Sequence, residues 1–143
     1  ASRGLGDVYK RQFLNALREK SIPMAIATSN ERSAVEAAFR RLGILQYFKE
    51  IFTCSEIGAG KTKPDIYQRA AEALQAAPGC TWVFEDAYYA AKTAHDAGFR
   101  VAGVYDASSA EESELLRAVS DIYIEDFGDF AGFYREAQRE ETK

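Results

Sequence analysis

Three short stretches carry side chains whose types and spacing could do chemistry. Thr28-Ser29-Asn30 supplies hydroxyls and an amide directly after an apolar run, and GAGKTKPD (58–65) holds Lys61 and Lys63 in a glycine-containing loop. VFEDA (83–87) ends a second apolar run in two adjacent acids, Glu85 and Asp86. Taken singly, each has an ordinary structural role. Thr28 and Asp86 suit helix N-caps, and acids suit the positive end of a helix. Lys61 suits a solvated loop. Together they form a set for a phosphate dianion with Mg²⁺: hydroxyl and amides for the oxygens, a lysine to offset charge, carboxylates for the metal.

The elements that must position these groups follow from the pattern of apolar residues. IPMAIA (22–27), EIFT (50–53), TWVF (81–84), RVAGVYD (100–106) and DIYIED (121–126) read as strands. Between and after them lie helical patterns at 31–42, 64–75, 89–98, 111–119 and from Phe127 to about Arg139. Val35, Ala38, Phe39 and Leu42 make the inner face of the first helix, with Gly43 to end it. Ile66, Ala70, Ala73 and Leu74 make that of the second, and Ala87, Ala90, Ala91 and Ala94 that of the third. Strands alternating with helices predict an α/β fold, a parallel sheet with helices on both faces. Ligands of such sheets bind beyond the carboxyl ends of the strands, where all three chemical stretches fall.

Composition narrows the classes. With 143 residues, 47% of them apolar, the chain suits one globular domain with its own core. A net charge of −4, without a dense block of Lys and Arg, speaks against nucleic acid as partner. No apolar run reaches the roughly 20 residues that cross a bilayer, so no membrane is expected as partner. Cys54 and Cys80 form no C-x-x-C pair and read as reduced, partly buried thiols of a cytoplasmic protein. His95, the only histidine, leaves nothing from which to build a Ser-His-Asp triad or a histidine-rich metal site.

Two other readings use similar parts. A P-loop needs G-x-x-x-x-G-K-[ST]; Gly60-Lys61-Thr62 fit, but Ser55 stands at the first glycine position. Lys63-Pro64 also interrupts the helix that a P-loop would enter at once. A two-component receiver domain orders its groups acids, hydroxyl, lysine, whereas this chain runs hydroxyl, lysine, acids.

That order resembles the haloacid dehalogenase-like superfamily of phosphohydrolases. AIATSN (25–30) is similar to its second motif, GKTKPDIY (60–67) to its third, and VFEDA (83–87) with AGF (97–99) to its fourth. RLGILQYFKEIFT (41–53) resembles the family's connector between the second and third motifs. The likeness runs from about Phe13 to Phe127 and is closest to the branch holding β-phosphoglucomutase and phosphoglycolate phosphatase. Thr62 stands where the third motif has its first proline, and Ala90 where a glycine is common. Neither change removes a chemical group.

The resemblance implies a three-layer Rossmann-like parallel sheet with helices on both faces. It implies that Thr28 and Lys61 serve catalysis, that Thr28, Ser29, Asn30 and Lys61 bind the substrate phosphate, and that Asp86 with Glu85 holds Mg²⁺. Lys63 is the weaker choice of lysine. The reaction implied is hydrolysis of a small phosphorylated metabolite through an aspartyl-phosphate. Phosphomutase activity is the alternative, as is a non-catalytic phosphate-binding or interaction module. The family's nucleophile lies in a D-x-D-G-[TS] motif on the first, central strand, and no D-x-D precedes Thr28. Residues 1–12, ASRGLGDVYKRQ, are therefore expected to be a non-native leader resembling translated adapter DNA, with 13–143 a partial core lacking its central first strand and its cap domain. Between the strands ending at Thr28 and Phe84, either a gap or a forced pairing is expected. Oligomeric state is left open.

Overall fold

A computed structural model describes residues 2–142, with side chains from residue 6 onward. Helix α1 spans Ser2–Glu19, and then strand β1 (Ala25–Thr28), α2 (Arg32–Arg41) and β2 (Glu50–Thr53) form a first βαβ unit. A short α3 (Cys54–Ile57) and α4 (Asp65–Ala73) lead to β3 (Trp82–Glu85). From there the chain runs α5 (Tyr88–Asp96), β4 (Arg100–Val104), α6 (Ser113–Val119), β5 (Ile122–Ile124) and α7 (Phe130–Glu141). Short 3₁₀ turns lie at Leu45–Tyr47, Pro78–Cys80 and Ala107–Glu112. No described helix is long and apolar enough to cross a membrane.

All strand pairs are parallel, as short crossover helices require. They form two sheets, not one: β1 pairs with β2, and β3, β4 and β5 form a separate three-stranded sheet in that order. The expected break between the strand ending at Thr28 and the strand carrying Phe84 is thus present as a gap, and no forced pairing closes it.

Helices span the break. Along β3 successive side chains point to opposite faces. Val83 joins a cluster with Ile66, Tyr67 and Ala71 of α4 and Ala91 and Ala94 of α5, against which Ala25 and Ala27 of β1 also pack. Trp82 and Phe84 turn the other way, into a cluster built on Phe13 and Leu17 of α1 and Phe133 and Ala137 of α7, where Met24 packs as well. A third cluster of Ile26, Val35 and Ile51 seats α2 on the first sheet. The α4–α5 layer therefore touches both sheets, while the α1–α7 layer packs on the second sheet and on Met24, just before β1.

Helix ends follow the sequence cues. Gly43 (φ 71°) follows α2 and Gly98 (φ 89°) follows α5, both in the left-handed region that glycine enters freely. The alanine face of α5 is fully buried at Ala90, Ala91 and Ala94. On α4 the buried residues are Ile66, Tyr67 and Ala71, so the inner face is turned toward Tyr67 relative to the predicted Ala70, Ala73 and Leu74, which are half-buried. The helix α1 has no counterpart among the predicted elements. Its residues 6–12 are exposed or half-buried, and its first buried side chain is Phe13. Cys54 is half-buried and Cys80 exposed, both as free thiols.

Gly103, buried on β4, is required for a close approach. A Cβ there would run into Ser120 Oγ and meet Leu116 Cγ at 3.1 Å. Gly103→Ala is expected to cost about 1–3 kcal/mol by overpacking, and Ser120→Gly in the same chain should recover part of it. Urea titration of the three proteins checks this; no loss in the single variant would show that α6 yields freely.

Candidate functional site

The carboxyl ends of β1 and β2 lie side by side, with Thr28 opposite Thr53. Thr28 closes a tight turn before α2, its Oγ1 accepting the Asn30 backbone N–H at 3.0 Å, which leaves the hydroxyl proton free to donate. Ser29 and Asn30 are exposed on this turn, and Ser29 Oγ lies 3.7 Å from Cys54 Sγ at the start of α3. Arg32, in the first turn of α2, grips Glu56 through two bonds of 2.9 Å and donates to the Ile51 carbonyl at 2.7 Å. Those bonds hold the exposed Glu56 carboxyl below its ordinary range. Thr53 caps α3 by accepting from the Glu56 N–H. The turn that offers Thr28 is thereby braced from both flanks.

At β3 the acid pair divides. Glu85 belongs to the strand, opposite Gly103, one residue beyond the predicted end at Phe84. The two-residue period places it on the face of Val83, toward α4, and it is buried at 8% exposure, while Asp86 is exposed. Burial of a carboxylate demands donors. Glu85 Oε2 receives two: Lys61 Nζ at 2.6 Å and the Tyr67 hydroxyl at 2.7 Å. The side chains of Lys61 and Glu85 are only 12% and 9% exposed, so this ion pair is sheltered from water. It also crosses from the loop after the first sheet to the last strand residue of the second sheet's edge.

The structure thus joins Lys61 to Glu85 and groups Thr28, Ser29 and Asn30 on one turn. No hydrogen bond links the two groups among the described residues. Lys63 is exposed, its N–H closing a turn onto Gly60 at 3.1 Å. The Asp86 carbonyl accepts the Ser109 hydroxyl at 3.2 Å, tying the loop after β4 to the acid pair. Tyr67, Arg32 and Ser109 are the neighbours of the candidate site to which sequence reasoning gave no role, though Tyr67 ends the quoted third motif. For Tyr67 a signal existed: a tyrosine one position along from Ile66 shares the inner face of α4.

Burial, and then the charge of Glu85, push the Tyr67 phenol far above its ordinary value of 10.0. In the folded chain Tyr67 keeps its proton where the unfolded chain loses it. Its contribution to stability is therefore complete below pH 10 and declines above it, by about 1.4 kcal/mol per pH unit for one proton. Urea midpoints between pH 9 and 11.5 should show that slope. Tyr67→Phe should lack one proton's share of it, and identical slopes would show that Tyr67 titrates normally.

The fit to Mg²⁺ is incomplete. That ion asks for six oxygens near octahedral geometry. Among the described residues no three His, Cys, Asp or Glu side chains are placed to share a metal. Asp86 and Glu85 are two adjacent carboxylates, and Glu85 is already taken by Lys61 and Tyr67. The pair does not by itself make the site.

The profile of the haloacid dehalogenase-like hydrolases matches residues 8–98. Validoxylamine A 7'-phosphate phosphatase of Streptomyces hygroscopicus subsp. limoneus is 32% identical over 108 residues, 73% of this chain and 51% of that protein. The crystal structure of HAD hydrolase, family IA, variant 3 from Entamoeba histolytica superposes with a TM-score of 0.78 at 26% identity, covering 92% of this chain and 59% of that one. β-Phosphoglucomutase from Clostridium difficile shares the fold, with a TM-score of 0.76 at 18% identity over 93% of this chain and 56% of that one. The chain spans about half the length of the curated relative it matches.

Proposed function

The chain belongs to the haloacid dehalogenase-like hydrolase family, and on that premise we propose that it carries the phosphate-holding part of a phosphohydrolase for a small phosphorylated metabolite. The observation that supports this best is the placement of Lys61. A lysine held by a buried carboxylate at the mouth between two parallel sheets is positioned to meet an anion. In this reading the Thr28 hydroxyl and the groups of Ser29 and Asn30 take the phosphate oxygens, and Lys61 offsets their charge. The exposed Asp86 carboxylate is this chain's share of a Mg²⁺ site, with Glu85, which the sequence pattern pairs with it, turned onto Lys61 and Tyr67 instead. When complete, such a site would supply charge neutralisation at the phosphate.

A phosphorylated intermediate needs a nucleophile, and the chain has no D-x-D motif in its 143 residues. We therefore expect phosphate binding without turnover from this polypeptide alone. Inorganic phosphate should bind measurably by calorimetry, and Thr28→Val should weaken it by about tenfold, the worth of one charge-assisted hydrogen bond. Hydrolysis of p-nitrophenyl phosphate with Mg²⁺ should stay at background. Mg²⁺-dependent hydrolysis that Asp86→Asn abolishes would overturn the second part, and unchanged binding by Thr28→Val the first.

A further inference from the structure

We propose that Tyr67 is a positioning residue that allows Lys61 to leave Glu85 for a bound phosphate. The inference rests on the reading of Lys61 as a phosphate ligand and concerns how that lysine becomes available.

In the structure Lys61 is not free. Its ammonium sits 2.6 Å from Glu85 Oε2, and an anion that draws it away takes the one cation that pairs, among the described residues, with a carboxylate 8% exposed. A buried carboxylate stripped of its donors pays its full desolvation penalty. A second donor on the same oxygen changes that balance. The Tyr67 hydroxyl lies 2.7 Å from Oε2, on a side chain only 2% exposed whose ring is fixed in the core against Phe99. The phenol cannot follow Lys61 outward, because its helix and its ring hold it in place. Glu85 therefore keeps one hydrogen bond in either state.

Packing does not require the hydroxyl. A phenylalanine would fill the same volume in the cluster with Ile66, Ala71 and Val83. Among the described residues the hydroxyl has one hydrogen-bond partner, Glu85. Two donors on one oxygen also compete for its lone pairs, so each is held less firmly than it would be alone. Lys61 is thus held firmly enough to be placed and loosely enough to be drawn off.

Two measurements on the chain as it stands test this, using Tyr67→Phe, Glu85→Gln and the double variant. The first is the exchange rate of the Lys61 ammonium protons with water, read by nitrogen-resolved NMR. With the phenol gone, Glu85 should hold Lys61 more tightly, and exchange in Tyr67→Phe should slow by about threefold. Equal or faster exchange, as simple loosening of the core would cause, overturns the proposal. The second is affinity for inorganic phosphate. Tyr67→Phe should weaken it by about tenfold in the native background and leave it unchanged beside Glu85→Gln, where no buried carboxylate charge remains to be satisfied. Equal losses in both backgrounds mark a merely structural role and also overturn it. If the native chain binds no phosphate, the phosphate-site reading falls by itself, and the exchange measurement still decides the role of Tyr67.

Discussion

Phe13→Ala is expected to lower the unfolding free energy by about 3–5 kcal/mol, the range for truncating a fully buried aromatic. Phe13 is 2% exposed and lies within ring contact of four phenylalanines. Phe84, Phe127 and Phe130 meet it edge-on at 5.8, 5.2 and 5.1 Å, and Phe133 is tilted at 5.4 Å. Edge-to-face pairs add to area burial, so the side chain contributes more than its volume alone. It is also the contact through which α1 reaches β3 and α7 at once. For a domain whose total stability is of order 5–15 kcal/mol, that loss is a large share. Urea titration with an unchanged slope and a lower midpoint checks it. A loss below about 1 kcal/mol would mean that α1 is not docked in solution and that Phe84 and Phe133 are covered by something else.

Lys61→Met should be almost as costly, for an electrostatic reason. Breaking a buried ion pair from one side strands the other charge, a loss of about 3–5 kcal/mol. The Tyr67 hydroxyl remains on Glu85, which puts the expected loss near the low end, about 3 kcal/mol. Replacing the whole cluster with Lys61→Met, Glu85→Leu and Tyr67→Phe should bring stability back to near the native value, since no polar atom is then left unpaired. Thermal unfolding of the single and triple variants separates this from ordinary packing loss, for which the effects would add. A single-variant loss under 1 kcal/mol would place the pair with exposed salt bridges, which contribute little.

Much of this arrangement could be read from the chain. Each of the five strands falls within its predicted stretch or extends it by one residue, because parallel strands are runs of apolar residues that turn signals bound clearly. The alanine stripe of α5 was equally plain, since small residues at helical spacing have few other uses. The break between sheets was legible only through the family resemblance; no local pattern encodes which strands are neighbours. Glu85 shows the limit of reading types without directions. As one of two adjacent acids it looks like a metal ligand, yet strand parity turns it inward onto Lys61 and Tyr67. Tyr67 was quoted at the end of the third motif but given no role, because Ile66, Ala70, Ala73 and Leu74 already filled the predicted inner face of α4, and a phenol's role depends on a partner 18 residues away. Arg32 was hidden likewise, its partner Glu56 lying 24 residues on.

The two-sheet division has a consequence for cooperativity. Within each sheet, backbone hydrogen bonds transmit order from strand to strand; between β1 and β3 none does. Among the described residues the halves are then coupled through side chains, chiefly the α4 cluster and the Lys61–Glu85 bond at the mouth, with Met24 reaching the α1 cluster on the other face. Cooperative opening units part where few contacts cross between them, so the division between the sheets is the expected seam between two such units. The unit of β1, α2 and β2 has the smaller cluster of its own, Ile26, Val35 and Ile51, and is expected to open at a lower free energy than β3, β4 and β5, which amide hydrogen exchange would read as faster exchange in β1 and β2. Opening along this seam would part the Thr28 turn from the Lys61–Glu85 pair, the two halves of the candidate phosphate site.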